Sequence, residues 1–135
     1  MAGFLTDYSN NKVLDLIFGG SAYNAPGSLY FGLSRSSASK AGVVSEPTAG
    51  AYARAALVND LTRFPAAIGG TKANASIVTF PAPTAAWGSV VSVFGADAAT
   101  GGNVLAMADL PVPRSIVNGG AAPSIAVGAL YLSHT

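Results

Sequence analysis

Residues 77–105 have the sequence IVTFPAPTAAWGSVVSVFGADAATGGNVL, in which apolar runs alternate with proline-rich and glycine-rich breaks. The β-branched and aromatic run Ile77–Phe80 predicts a strand, which must end at the following prolines because proline cannot donate to a sheet ladder. Trp87, the only tryptophan, precedes a second predicted strand, Val90–Phe94. A turn rich in Asp, Gly and Asn then leads into a third strand, Val104–Leu110. The segment therefore predicts a β-meander built around one large aromatic side chain.

The sequence predicts one helix, near the N-terminus, at about residues 8–18. Thr6 and Ser9 are candidate N-caps, apolar residues then recur at helical spacing, and the glycine pair that begins at Gly19 ends the pattern. We expect this segment, within residues 1–20, to pack on the rest of the chain.

Four further segments carry the residue types and turn boundaries of strands, namely Leu29–Ser34, Tyr52–Val58, Arg114–Val117 and Ser124–Leu132. Seven to eight short strands with regular Gly and Pro punctuation predict a mainly β fold, an antiparallel β-sandwich of the jelly-roll or Ig-like kind, with one short N-terminal helix. A chain of 135 residues has the size of one domain. We therefore expect residues 1–135 to form a single β-sandwich domain.

Several predicted strands are apolar on both faces. Val104–Leu110, for example, has Leu105 and Met107 on one face and small or apolar residues on the other. In a two-layer sandwich one face of each strand meets water, so the second face needs a cover. The helix and loops could supply it, or a second copy of the chain could, and we favour the second copy. The unpatterned segment Arg35–Gly50 is the best candidate for a contact arm.

The composition also favours a subunit that is covered by neighbours. Charged residues make up 10% of the chain, against about 25% in average soluble domains, while apolar residues make up 50%. The seven basic residues are scattered and the net charge is +1, which argues against nucleic acid as a partner. No apolar run has the length of a membrane span or of a signal peptide, so we expect a protein that is made in a cytoplasm and has no membrane partner.

Candidate catalytic residues are few. The single histidine, His134, is the penultimate residue, where a solvated tail is the expected role. Glu46, Asp97 and Asp109 could supply a carboxylate pair, but Asp97 lies in a turn and is expected to bind local backbone amides instead. The chain lacks cysteine, and its glycine pairs lack the Lys-Ser or Lys-Thr of a phosphate loop. We therefore expect no catalytic residue, cofactor or metal, and no enzymatic activity.

Three parts of the chain together resemble a known family. A Gly/Ala-Tyr-Ala-Arg element is matched by Ala51–Arg54, a Lys-x-Asn pair begins at Lys72, a Thr-Phe-Pro step begins at Thr79, Thr-Ala-x-Trp-Gly spans residues 84–88, and Asp-Ala-x-Thr-Gly-Gly-Asn-x-Leu spans residues 97–105. In this order the motifs resemble small tailed-phage virion proteins, commonly labelled tail fibre proteins and related to capsid-fibre and head-decoration proteins.

The resemblance implies a non-enzymatic structural protein of the virion, assembled in the host cytoplasm. We expect a capsid decoration or accessory subunit, or the base of a capsid fibre, that binds itself as a homotrimer and binds a major capsid or tail protein. The alternative is a tail fibre or baseplate component that contacts the host surface, and a third hypothesis is a carbohydrate-binding module using Trp87 and Tyr52. The expected interface anchors are Tyr52, Phe80, Trp87 and Tyr131, with Arg54 as their polar partner.

Overall fold

The computed structural model of the protein describes residues 1–133, which contain one helix and nine strands. In chain order the elements are β1 (Ala2–Leu5), α1 (Asp7–Ile17), β2 (Ser28–Ser34), β3 (Ala55–Val58), β4 (Thr71–Ala73), β5 (Val78–Thr79), β6 (Gly88–Ala96), β7 (Val104–Ile116), β8 (Ser124–Ile125) and β9 (Tyr131–Ser133). Seven strands form one sheet in the order β3-β2-β6-β7-β1-β9-β4, and β5 pairs with β8 in a small second sheet.

The prediction of a mainly β fold with one short N-terminal helix is confirmed. The architecture is broadly that of a sandwich, with the large sheet curled like half a barrel. The large sheet is mixed, because β1 runs parallel to β9 and antiparallel to β7. Strand β1 was not predicted from the sequence. Its four residues pair with segments more than 100 residues away.

The hairpin of β6 and β7 is the middle of the large sheet. Its turn is closed by Asp97, whose carboxylate accepts hydrogen bonds from the backbone nitrogen of Asn103 (2.7 Å) and from its side chain (3.0 Å), as predicted for a turn. The predicted end of the strand before Pro111 is wrong, because β7 continues to Ile116. Residues 110–113 face an irregularity in the ladder, where proline's missing N–H costs no regular hydrogen bond.

The predicted three-stranded meander is only partly present. β6 and β7 form the hairpin, but β5 leaves the large sheet and pairs with β8, with Val78 opposite Ile125. The prolines that follow Phe80 carry the chain away before β6 begins.

The predicted last strand is also divided, since a turn at residues 127–129 separates β8 from β9, and Gly128 there has a φ of +74°.

The main core lies between the large sheet and the small sheet. Trp87 is its largest fully buried side chain. The large sheet contributes Phe31, Leu33, Val90, Val93 and Ala108, and the segments of the small sheet contribute Val78, Phe80 and Ile125.

A smaller core lies on the other face of the β6–β7 hairpin. Phe94 and Met107, each next in sequence to a residue of the main core, point to this face because side chains alternate along a strand. The residues packed over them include Ala38 and Val44 of the Arg35–Gly50 segment. The expectation that a second copy covers this face of Val104–Leu110 is therefore corrected, since the chain's own loop covers it.

Helix α1 is held to the sheet by its first turn. Thr6 is the N-cap, as predicted, and its hydroxyl donates to the carbonyl of Val104 at 2.6 Å. The Ser9 hydroxyl donates to the carbonyl of Leu105 at 2.7 Å. Ser9 is the one buried residue of α1. The helix thus contacts the sheet mainly through polar groups near its N-terminus.

Candidate interaction surfaces

Two of the five predicted anchors, Tyr52 and Arg54, meet around Glu46. The Arg54 guanidinium donates from Nε to Oε1 of Glu46 (2.9 Å) and from Nη2 to Oε2 (2.8 Å). The Tyr52 hydroxyl donates to Oε1 of Glu46 at 2.8 Å and accepts from the backbone nitrogen of Leu33 at 2.9 Å. The polar atoms of these three side chains are thus hydrogen-bonded within the chain. We call Glu46, Tyr52 and Arg54 the Arg54 clamp.

The Arg54 clamp also fastens the hairpin turn. Nη1 of Arg54 donates to the carbonyls of Ala98 (2.7 Å) and Gly101 (2.9 Å), and the guanidinium lies 5.0 Å from the centre of the Phe94 ring. A planar group with five donors suits such a fixed set of acceptors. The side chain of Arg54 is therefore engaged in holding the fold together.

The clamp holds fixed charges. Burial alone would raise the pKa of Glu46, but hydrogen bonds from Arg54 and Tyr52 outweigh it and lower that pKa. Burial is the main reason that the pKa of the Tyr52 phenol is raised, and the hydrogen bond to Glu46 raises the pKa of Arg54. The acid and the base are thus both charged, and the phenol neutral, near pH 7. This arrangement suits a structural role and not proton transfer.

Trp87 and Phe80 are core residues. Each has 2% of its surface exposed, and Trp87 donates from Nε1 to the carbonyl of Gly50 at 2.8 Å. The Trp87 ring meets the Tyr52 ring edge-on, with centroids 5.2 Å apart. The expectation that Phe80 and Trp87 face a partner is therefore corrected, because neither has surface to offer. The same burial removes Trp87 as the stacking platform of a carbohydrate-binding module.

Phe80 and Tyr131, the remaining predicted anchor, lie at one groove with a volume of about 970 Å³. The second half of β7 forms one wall and residues 120–131 contribute the other. Phe80 is a buried lining residue, whereas Tyr131 is exposed. Among the lining residues of this groove, Arg114 is the one with a charged side chain. A groove of this size and character suits an apolar occupant.

A second exposed apolar surface is carried by α1. Leu14, Leu16, Ile17 and Phe18, in the last turns of the helix and just beyond it, are all exposed. The sequence pattern predicted the helix and its packing on the rest of the chain. It did not show that polar Ser9 makes that contact while the apolar residues stay exposed.

The candidate catalytic carboxylates all have structural partners. Asp97 closes the hairpin turn, Glu46 belongs to the Arg54 clamp, and Asp109 accepts a hydrogen bond from the backbone nitrogen of Ala38 at 2.8 Å. His134 lies outside the described residues.

Within residues 1–133, no group of three or more His, Asp or Glu side chains is placed to hold a metal ion. The helix described above is also too short to cross a membrane.

Comparison with known proteins adds the identity of the family. A family model described as Podophage GP4 fiber I protein gp80 matches residues 4–133. No curated protein matches the chain. The family match includes every motif on which the sequence resemblance rested and nearly the whole chain. The chain therefore belongs to the Podophage GP4 fiber I protein gp80 family and is a structural protein of a phage virion, of the fibre type.

Proposed function

We propose that the protein is a non-enzymatic subunit at the base of a virion fibre, that it functions as a homotrimer, and that it is attached to the capsid through the major capsid protein. The fibre family supports the general role. The observation that carries the finer proposal is the pair of exposed apolar surfaces, on α1 and at the groove, in a chain with 10% charged residues. Surfaces of this kind mark sites of protein association.

The fold suits a base better than a shaft. The main core is enclosed between the curled sheet and the small sheet, and β1 pairs with β9 across nearly the whole length of the chain. A shaft needs an element that repeats along the fibre axis, whereas a folded unit of this kind suits attachment. Three copies around one axis would each present the same surface, so that weak contacts with a lattice add together.

The second candidate is a subunit of a tail-attached fibre, which the fibre description of the family supports equally. Copies per particle separate the two candidates, and densitometry of purified virions measures this number. Capsid attachment predicts hundreds of copies, and tail attachment predicts a handful. Virions that lack the chain altogether would contradict both candidates.

A further inference from the structure

The last turns of helix α1 carry apolar side chains that the rest of the chain leaves uncovered. An α-helix advances about 100° per residue, so Leu14 lies about 140° and Phe18 about 180° around the axis from Ser9, the residue that bonds to the sheet. Phe18 is 81% exposed and Ile17 is 64% exposed. These side chains, with Leu14, have the i, i+3, i+4 spacing of helices that bind in apolar grooves. We call Leu14, Ile17 and Phe18 the helix knob.

The charges of α1 argue against a lipid surface as its partner. The helix carries Asp7, Lys12 and Asp15, so its side chains have a net charge of −1 and form no basic face. Helices that lie on membranes are rich in Lys and Arg on their polar side. The helix knob therefore points to a protein partner that is apolar and not acidic.

The groove of the same chain has these properties. Its wall on β7 includes Leu110, Pro111 and Val112, and Val112 is 68% exposed. Arg114, in the same wall, is exposed. Within residues 1–133, neither Arg114 nor Asp15 takes part in an ion pair. The helix knob and the groove thus complement each other in apolar character and in charge.

The two surfaces of a single copy do not meet in the structure. Ser9 fixes α1 beside Leu105, at the turn end of the hairpin, and the groove begins on β7 at Leu110. Five residues of strand span about 17 Å. No residue of α1 lines the groove, and the exposure of Phe18 shows that the chain itself leaves the helix knob uncovered.

We propose that the helix knob of one copy binds in the groove of the next copy, with Asp15 facing Arg114. The inference rests on the self-association in the proposed function and adds its mode. The contact is heterologous, because different surfaces meet, so it closes into a ring such as a trimer or propagates along a fibre. One helix gives a contact smaller than the roughly 800 Å² per partner of a standard stable interface. Ring closure would compensate, since a subunit must then break two contacts to leave.

Cysteine cross-linking tests the pairing directly, because the natural chain contains no cysteine. Chains carrying F18C and chains carrying V112C are purified under reducing conditions, mixed and oxidised. We expect a disulfide-linked dimer in the mixture and none in either single variant. Self-linking of F18C alone would show that helix binds helix, and it would overturn the inference. Cross-linking of F18C to I68C, at an equally exposed site outside the groove, would overturn it as well.

Substitutions test the energetics. F18D and V112D change exposed side chains, so the fold should persist, and circular dichroism checks this. Each should raise the dissociation constant of the oligomer roughly 10- to 100-fold, as expected when a buried aromatic or aliphatic contact is lost. The matched control I68D should leave that constant unchanged. D15R and R114D should each weaken assembly, and a mixture of the two should recover part of it.

The outcome separates this inference from the proposed function. If the natural chain forms oligomers, but F18D and V112D form them equally well, the inference fails and the homo-oligomer stands. If the natural chain is monomeric at high micromolar concentration, both fail.

Discussion

Arg54 and Glu46 form a two-point ion pair that joins three separate parts of the chain. The guanidinium meets both carboxylate oxygens, at 2.9 and 2.8 Å, and its Nη1 donates to the carbonyls of Ala98 and Gly101. The Arg35–Gly50 segment, the approach to β3 and the hairpin turn are thus fixed to one another. The Arg54 side chain is only 4% exposed, so its charge depends on Glu46 for compensation.

Replacing Glu46 by Gln should therefore destabilise the fold markedly. The substitution leaves the shape nearly unchanged but leaves a buried guanidinium without its counter-charge. We expect a loss of about 3 kcal/mol in the free energy of unfolding, measured in urea. The control is D60N, which breaks the exposed ion pair between Asp60 and Arg63 and should leave the unfolding midpoint nearly unchanged. Equal effects of the two substitutions would contradict the structural role of the clamp.

The contribution of Glu46 should depend on pH with a defined sign. Folding lowers the pKa of Glu46 below its ordinary value of 4.5, so the stabilisation is complete above that value. It is lost as the pH falls through the folded-state pKa. The difference in unfolding free energy between the natural chain and E46Q should be constant near neutrality and shrink below pH 4.5. A difference that stays constant into strong acid would exclude a charged Glu46 as its source.

Gly50 and Gly101 offer a matched pair of substitutions, since both have a φ of +61°. A Cβ at Gly101 meets nothing within 4 Å, whereas a Cβ at Gly50 would lie 2.7 Å from the carbonyl oxygen of Ala85. G101A should cost about 1–2 kcal/mol, the strain of the left-handed conformation alone. G50A should cost clearly more, because the backbone that binds Trp87 must also move. Thermal unfolding of the two variants measures the difference, and equal costs would contradict the close packing at Gly50.

Trp87 should report on the main core. Its emission in the folded chain should be shifted to short wavelength and be resistant to quenching by acrylamide, because the ring is buried. W87F removes the hydrogen bond from Nε1 to the Gly50 carbonyl, which keeps its bond from the backbone nitrogen of Thr84, and it creates a cavity, so we expect a loss of about 2–3 kcal/mol. Y131F, at an exposed ring, serves as the control and should change the unfolding free energy little. Ready quenching of the folded chain would show that Trp87 is not enclosed.

Local signals were sufficient for much of the fold. The N-cap at Thr6, the hairpin turn at residues 97–103 and the two strands that flank it follow from residue types and spacing. Pairings between distant segments have no such signal, which is why the parallel contact of β1 with β9 was missed. Pro111 was misread because a proline is tolerated where the ladder is already broken, and the sequence does not show where the ladder breaks.

The sequence predicted the interaction surfaces less well than the fold. Residue type alone cannot distinguish an aromatic side chain in the core from one at an interface, so Trp87 and Tyr131 were given the same role, although only Tyr131 is exposed. The apolar spacing of α1 predicted a helix but not which of its residues contact the sheet. That contact includes the hydrogen bond between Ser9 and Leu105, two residues 96 positions apart.

The molar mass of the purified chain in solution tests the central claim most directly, namely that the exposed apolar surfaces are covered by other copies. Light scattering over a range of concentrations should give about three times the chain mass of 13.4 kDa for the natural protein, and a shift toward 13.4 kDa for F18D. A natural chain that stays at 13.4 kDa up to high micromolar concentration would contradict the account.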